Sequence, residues 1–149
     1  MNDMKKQLIG ALGQYLANLH VLYVKLHGMH WNVEGRQFFQ LHEKLEELYD
    51  GVAEELDAVA ERILMLGGRP AASMRAFLDQ ATLKEMESGP INGDAVLQIL
   101  QADMVSLSQD VSGLIELAGN GGDAVTEGMM TDSLGRYQKL VWMLRAAKA

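Results

Sequence analysis

An all-α fold is what this sequence predicts: four long helices in up-down-down-up order, packed as one domain over residues 1–149, and three observations point to it. Apolar residues recur at steps of three and four through four long stretches. Proline occurs only twice and aromatic residues make up 6%, beside 10 methionines and many Leu, Ala, Glu and Gln, which favours helix over a turn-rich β sandwich. At 149 residues, 48% hydrophobic and 22% charged, the chain can bury one core and has no need of a second domain.

The first helix is expected over about 4 to 32, where Leu8, Leu12, Leu16, Leu19, Tyr23 and Leu26 form one stripe. It stops at Asn32-Val33-Glu34-Gly35, where glycine takes positive φ at little cost. The second carries Leu41, Leu45, Leu48, Val52, Leu56, Val59, Ile63 and Leu66 and ends at Gly67-Gly68-Arg69-Pro70. The short turn between them makes an antiparallel hairpin.

Residues 67 to 93 form a long glycine- and proline-punctuated connection with one short helix, Ser73 to about Gln80, expected to bury Met74, Phe77 and Leu78. A third long helix, capped near Asn92 or Asp94, carries the seam Leu97, Leu100, Met104, Leu107, Val111, Leu114 and Ala118 and ends at Gly119-Asn120-Gly121-Gly122. Asp123 caps the fourth, whose Met130, Tyr137, Val141 and Leu144 share a face. The connection is long enough to run the length of the bundle, which makes the second and third long helices parallel.

The net charge of −7 leaves a chain repelled by phosphate backbones. The absence of cysteine excludes disulfides, thiolate zinc sites, iron-sulfur clusters and cysteine nucleophiles. No apolar run reaches the length of a membrane helix and no leader pattern opens the chain, so a cytoplasmic protein without membrane contact is expected.

All four histidines, His20, His27, His30 and His42, fall in the first 42 residues, and no Glu-x-x-His pair exists. A di-iron centre within one bundle usually uses two such pairs, so a self-contained one is not expected. His27 and His30 share a helical turn, and Asp57 and Glu61 lie at i,i+4; each pair has chelating spacing. Within one chain the pairs do not meet: with His30 set beside residue 38 or so, Asp57 lies about 19 residues on, roughly 28 Å at the helical rise. A shared ion would require carboxylates from a second subunit across a two-fold axis. The plainer alternatives are that Glu43, Glu46, Glu47, Asp50, Glu54, Asp57 and Glu61 form a solvated acidic stripe, that the methionines fill the core, and that Trp31 and Trp142 are core aromatics.

The segment His27-Gly28-Met29-His30-Trp31-Asn32-Val33-Glu34-Gly35, then Phe38-Phe39-x-Leu41-His42-Glu43, Asp57-x-Val59-Ala60-Glu61-Arg62 and Leu66-Gly67-Gly68-x-Pro70, resembles the Dps miniferritins of the ferritin-like superfamily. The match is detailed over about residues 15 to 70 and extends in length, helix order and Val141-Trp142-Met143 to the whole chain. The resemblance implies a ferritin-like bundle, a dodecamer of 23 symmetry, and a ferroxidase using hydrogen peroxide in preference to oxygen, with ferric mineral stored in the shell and DNA and cell protected from oxidative damage. By the same resemblance, His30 and His42 of one subunit and Asp57 and Glu61 of its two-fold partner hold two irons, with His27 a weaker candidate. Zinc or cobalt would suit the same ligands. Glu43, Glu46 and Glu47 resemble an inner-surface cluster that nucleates mineral, and Trp31 is placed to trap radicals.

Two departures matter. Asp123 and Glu127 are the only acids left where many members line an iron-entry pore. No long Lys/Arg-rich tail is present, and a dodecamer would carry twelve times −7, so DNA binding is expected to be weak or absent. The competing reading is a DNA-compacting nucleoid particle whose metal binding is secondary.

Overall fold

The computed structural model describes all 149 residues as five helices and two very short strands: α1 (Asp3–Asn32), β1 (Val33–Glu34), α2 (Phe38–Met65), α3 (Met74–Gln80), β2 (Ile91–Asn92), α4 (Gly93–Asn120) and α5 (Ala124–Lys148). The four long helices form the bundle. α1 packs against α2 and α4, α4 against α5, and α3 lies on α1. Gly93 at the start of α4 lies against Gln37 and Leu41 at the start of α2, and Asp123 at the start of α5 meets Arg62 near the end of α2. α2 and α4 therefore start at the same end of the bundle, which is the up-down-down-up arrangement.

The helix ends follow their sequence signals. Asn2, Ser73, Asn92 and Asp123 each accept a hydrogen bond from the backbone N–H three residues on, the usual satisfaction of orphan donors at a helix start. Gly35 and Gly67 take φ +115° and +92°, the left-handed region their turns require. The stripes expected for α1 and α2 are buried, with Tyr23, Leu48 and Leu56 at their margins, and the α4 seam is buried throughout.

Several expectations change. Trp31 is 69% and Trp142 59% exposed, so neither is a core aromatic. α3 buries only part of Phe77, stacked on His20 at 3.7 Å, while Met74 and Leu78 face outward; seven residues packed on one neighbour present too little of their surface to a core. Among the methionines Met29, Met104 and Met130 are buried, whereas Met1, Met4, Met65, Met74 and Met143 are exposed.

The crossover is tied down by contacts that no periodicity signals. β1 and β2 pair in parallel, Val33 with Ile91 and Glu34 with Asn92. Buried Asn18 accepts from the backbone N–H groups of Thr82 and Leu83 and donates to Asp110 Oδ2 at 2.9 Å and Thr82 Oγ1 at 3.0 Å. All four hydrogen-bonding valences of its amide are thus used, which fixes the crossover to α1 and α4.

Candidate metal centre

The corner between α1 and α2 brings His30 and His42 face to face. Val33 leaves the helix in an extended conformation, Gly35 turns the chain, and α2 begins at Phe38, so the last turn of α1 lies beside the second turn of α2. The imidazole rings stack at 3.7 Å and 11°. His30 Nδ1 donates to the carbonyl of His42 at 2.7 Å and His42 Nδ1 donates to the carbonyl of His30 at 2.8 Å. A carbonyl only accepts, so each Nδ1 carries a proton, and in the neutral ring Nε2 is then the nitrogen with the lone pair. Phe38 stacks on the far side of His42 at 5.0 Å, and Tyr49 meets His30 edge-on. The His30 side chain is 7% exposed.

This contact corrects the expected register: His30 lies beside His42, not residue 38. Asp57 is then 15 residues further along α2, roughly 22 Å at the helical rise, so the two half-sites remain separate within one chain. Asp57 and Glu61 are exposed on α2.

His27 bonds instead to its own helix, Nδ1 donating to the Tyr23 carbonyl at 3.0 Å, and stacks on Tyr49 at 3.9 Å. His20 does the same with Leu16. Only His30 and His42 are held by one another, which separates them from the other two histidines. Trp31 lies 5.4 Å from His27. Glu43, Glu46 and Glu47 are exposed, and Glu46 Oε1 comes within 3.9 Å of His30 Nε2. Lys44 pairs with Glu47 at 3.2 Å.

The two pore candidates differ. Asp123 accepts from the Thr126 N–H and from Arg62 Nη2 at 2.9 Å. Burial works to raise its pKa, but Thr126 and Arg62 outweigh it and hold the carboxyl below the usual range. Glu127 instead leaves its carboxylate beside Gly119.

Glu55 was missed. Every other acid of α2 is exposed, but Glu55 turns inward to Tyr15, Ser133 and Arg136. Its place beside Val52, Leu56 and Val59, on the apolar side of α2, was the only available signal.

Comparison with known proteins agrees with this fold. The model of the ferritin-like domain matches residues 9–148. "DNA protection during starvation protein 2" of Bacillus anthracis is 37% identical over 143 residues, 96% of this chain and 97% of that protein. The crystal structure of a Dps protein from Bacillus brevis superposes with a TM-score of 0.96 at 36% identity, covering 100% of this chain and 99% of that one. A Dps protein from Vibrio cholerae O1, described as a member of a broad superfamily of ferritin-like diiron-carboxylate proteins, gives 0.94 at 38% identity, covering 98% and 91%. The chain belongs to the ferritin-like family and, within it, to the Dps proteins.

Proposed function

We propose that this protein is a ferroxidase and iron-storage miniferritin whose iron sites form between two copies of the chain. The reciprocal His30–His42 pair carries this reading: two imidazoles with protonated Nδ1 and free Nε2, set in one corner, supply nitrogen donors but too few ligands for two irons. Asp57 and Glu61 of a second copy supply the anionic oxygens, and Glu46 stands close enough to join them. Mixed imidazole and carboxylate donors suit Fe(II), and zinc or cobalt would compete for the same set. His27, turned to its own helix, contributes at most to orientation.

The surface around both half-sites supports a second copy. Val24 and Trp31 stand exposed near the histidines, and Leu64 and Met65 near Glu61. Large exposed apolar side chains at both half-sites fit a contact surface, and a two-fold contact sets one half-site of each partner against the other half-site of its mate. Joined by a second, heterologous contact about three-fold axes, such two-fold pairs would close a dodecameric shell of 23 symmetry.

In this reading iron is the substrate. The carboxylates favour the more highly charged Fe(III), which lowers the potential at which Fe(II) gives up its electron. Two Fe(II) give one electron each to one hydrogen peroxide, whose O–O bond breaks, and uptake of two protons yields two waters. Pairing the electrons avoids release of a hydroxyl radical, which is how DNA and cell would be protected. Glu43 and Glu47, with Glu46, would collect ferric ions as mineral, Glu127 rather than the engaged Asp123 would serve an entry route, and Trp31 would intercept stray oxidant. The name of the Bacillus anthracis relative speaks of DNA protection, which a second reading, a DNA-compacting particle, would supply by binding; the charge of −7 per chain opposes it.

The test is anaerobic Fe(II) oxidation titrated with hydrogen peroxide. Consumption of about two Fe(II) per peroxide, lost in His30→Ala/Asp57→Ala, is expected from the electron count above. Equal slow oxidation by both proteins would overturn the ferroxidase reading.

A further inference from the structure

Behind the carboxylates of α2 lies a polar cluster that the iron site does not use. Tyr15 of α1 donates to Glu55 Oε2 at 2.6 Å, and its oxygen lies 2.5 Å from the hydroxyl of Tyr137 on α5. A phenol has one proton, so with Tyr15 donating to Glu55 the second bond must run from Tyr137 to Tyr15. Ser133 also donates to Glu55 Oε2 at 2.5 Å, and Arg136 Nη2 donates to Oε1 at 3.2 Å. The result is a directed chain, Tyr137 to Tyr15 to Glu55, with Arg136 beside its end. Tyr15 is buried, and the Glu55 side chain is 12% exposed.

Packing alone does not require this arrangement. A buried polar group is costly unless fully bonded, and an apolar residue at each of the three positions would hold three helices together without that condition. What the cluster provides is a phenol with a proton acceptor on one side and a hydrogen-bond donor on the other. Those are the two features that make one-electron oxidation of a tyrosine easy: the phenol proton has somewhere to go, and the remaining oxygen keeps a donor.

Position adds to this. Glu55 and Asp57 are two residues apart and point to opposite sides of α2, so about one helix thickness, on the order of 10 Å, separates the tyrosine pair from the proposed iron ligand. Electrons tunnel readily through protein over that span. A cavity of about 410 Å³ between α2 and α5, lined by Gly51, Glu55, Arg136 and Tyr137, opens beside the cluster.

We propose that Tyr15, held between Tyr137 and Glu55, is a buried one-electron donor that quenches oxidising equivalents escaping the iron site. The source of oxidant rests on the ferroxidase reading. In the forward step Tyr15 loses one electron to an oxidant of the hydroxyl-radical class, which becomes hydroxide, while the phenol proton moves to Glu55 Oε2 and Tyr137 stays bonded to the phenoxyl oxygen. In the return step one Fe(II) becomes Fe(III), its electron restores Tyr15, and Glu55 returns the proton. Burial first, then the neighbouring Tyr137 and Glu55, hold Tyr15 well above the ordinary tyrosine pKa, so the resting phenol is neutral and gives up its proton only on oxidation.

Four tyrosines are present, and the other two, Tyr23 and Tyr49, lie near the histidine pair, so the donor can be assigned by substitution. In the first arm, the metal-free protein is oxidised by photogenerated tris(bipyridine)ruthenium(III) and frozen for electron paramagnetic resonance. A tyrosyl signal is expected, lost by most of its intensity in Tyr15→Phe, reduced in Glu55→Gln, and kept in Tyr23→Phe/Tyr49→Phe. Tyr15→Phe leaves Glu55 bonded to Ser133 and Arg136, and size-exclusion chromatography with circular dichroism checks that it folds and assembles as the wild type. In the second arm, Trp31→Phe protein is freeze-quenched after Fe(II) and peroxide, and the same signal with the same Tyr15 dependence is expected. No tyrosyl signal in the wild type, undiminished signal in Tyr15→Phe, or loss confined to Tyr23→Phe/Tyr49→Phe would overturn the proposal. A Tyr15-dependent signal in the first arm, with no two-to-one consumption of Fe(II) in the anaerobic peroxide titration, would support the buried donor and overturn the ferroxidase reading.

Discussion

His30 and His42 orient one another: each ring donates Nδ1–H to the other residue's backbone carbonyl, at 2.7 and 2.8 Å, while the rings stack at 3.7 Å. A histidine whose ring is steered by its own side-chain bonds can swing; here the acceptors are backbone atoms of two packed helices, so both Nε2 atoms are fixed before any ion arrives. Replacing His42 by Ala removes one nitrogen and the stacking partner of the other. His42→Ala should weaken Fe(II) binding by roughly 10- to 100-fold, read by anaerobic titration calorimetry, whereas His27→Ala, whose ring bonds only within α1, should change it far less. Equal losses in the two variants would show that the mutual orientation is not what matters.

The separation of the two half-sites predicts complementation. A His30→Ala/His42→Ala protein keeps its carboxylates, and an Asp57→Ala/Glu61→Ala protein keeps its histidines; each alone should be inactive. In a two-fold pair of unlike chains one site lacks everything and the other is whole. Random mixing at equal amounts makes half of all pairs unlike, so about a quarter of the sites should be restored. Co-refolded mixtures should therefore oxidise Fe(II) at about a quarter of the wild-type rate, and no recovery would place the ligands differently.

Glu46 yields a sharper comparison within the acidic stripe. Its carboxylate lies 3.9 Å from His30 Nε2, while Glu47 is paired with Lys44. Glu46→Gln should slow the initial Fe(II) oxidation, with an affinity loss of roughly 10-fold as for other groups that support a ligand. Glu47→Gln should leave that first phase intact and alter only later mineral growth. Stopped-flow absorbance separates the two phases.

Where the chain repeats, it could be read. Leu97, Leu100, Met104, Leu107, Val111, Leu114 and Ala118 are all buried, and Asn92 and Asp123 cap where their residue types suggest. What stayed hidden are contacts made once, between residues far apart in the chain. Lys25 and Asp103 are 78 positions apart, and each looks like a flank of an apolar stripe until the helices are packed. β1 and β2 are two residues each, too short for any period. Trp31 and Trp142 were misplaced because aromatic character says only that a side chain is apolar, not which surface covers it. At the site, His30 and His42 were legible as candidates, but their contact was not: the turn is wider than assumed, and moving α2 by four residues exchanged the partner of His30.

Asp123 should set part of the acid stability. Its carboxyl is held low in the folded chain, so its contribution is present above the unfolded value, about 3.9, and is lost as pH falls through the lower folded value. Asp123→Ala also removes the cap of α5 and the ion pair with Arg62, which keeps only its bond to Thr126 Oγ1, a cost of about 1 to 2 kcal/mol at neutral pH. The difference between wild type and variant should shrink below about pH 4. Urea unfolding at fixed protein concentration checks both statements; a difference that grows on acidification would reverse the sign.

The ion pair between Lys25 and Asp103, 2.7 Å apart in the core between α1 and α4, predicts unequal single and double mutants. Burial raises the Asp103 pKa despite the opposing hydrogen bond and charge of Lys25, so the carboxylate depends on that lysine. Lys25→Met strands it, and a buried charge left alone costs about 3 to 5 kcal/mol. Without Lys25 the folded pKa rises further above the unfolded one, so lowering the pH from 7 towards 5 protonates Asp103 in the fold and part of the lost stability returns. Lys25→Met/Asp103→Leu removes both charges and should be within a few kcal/mol of the wild type in either direction, with no such recovery on acidification. Unfolding of the three proteins at pH 7 and pH 5 decides the matter: a single mutant as stable as the double at pH 7 would mean that water reaches Asp103, and that the pair is not what sets α1 against α4.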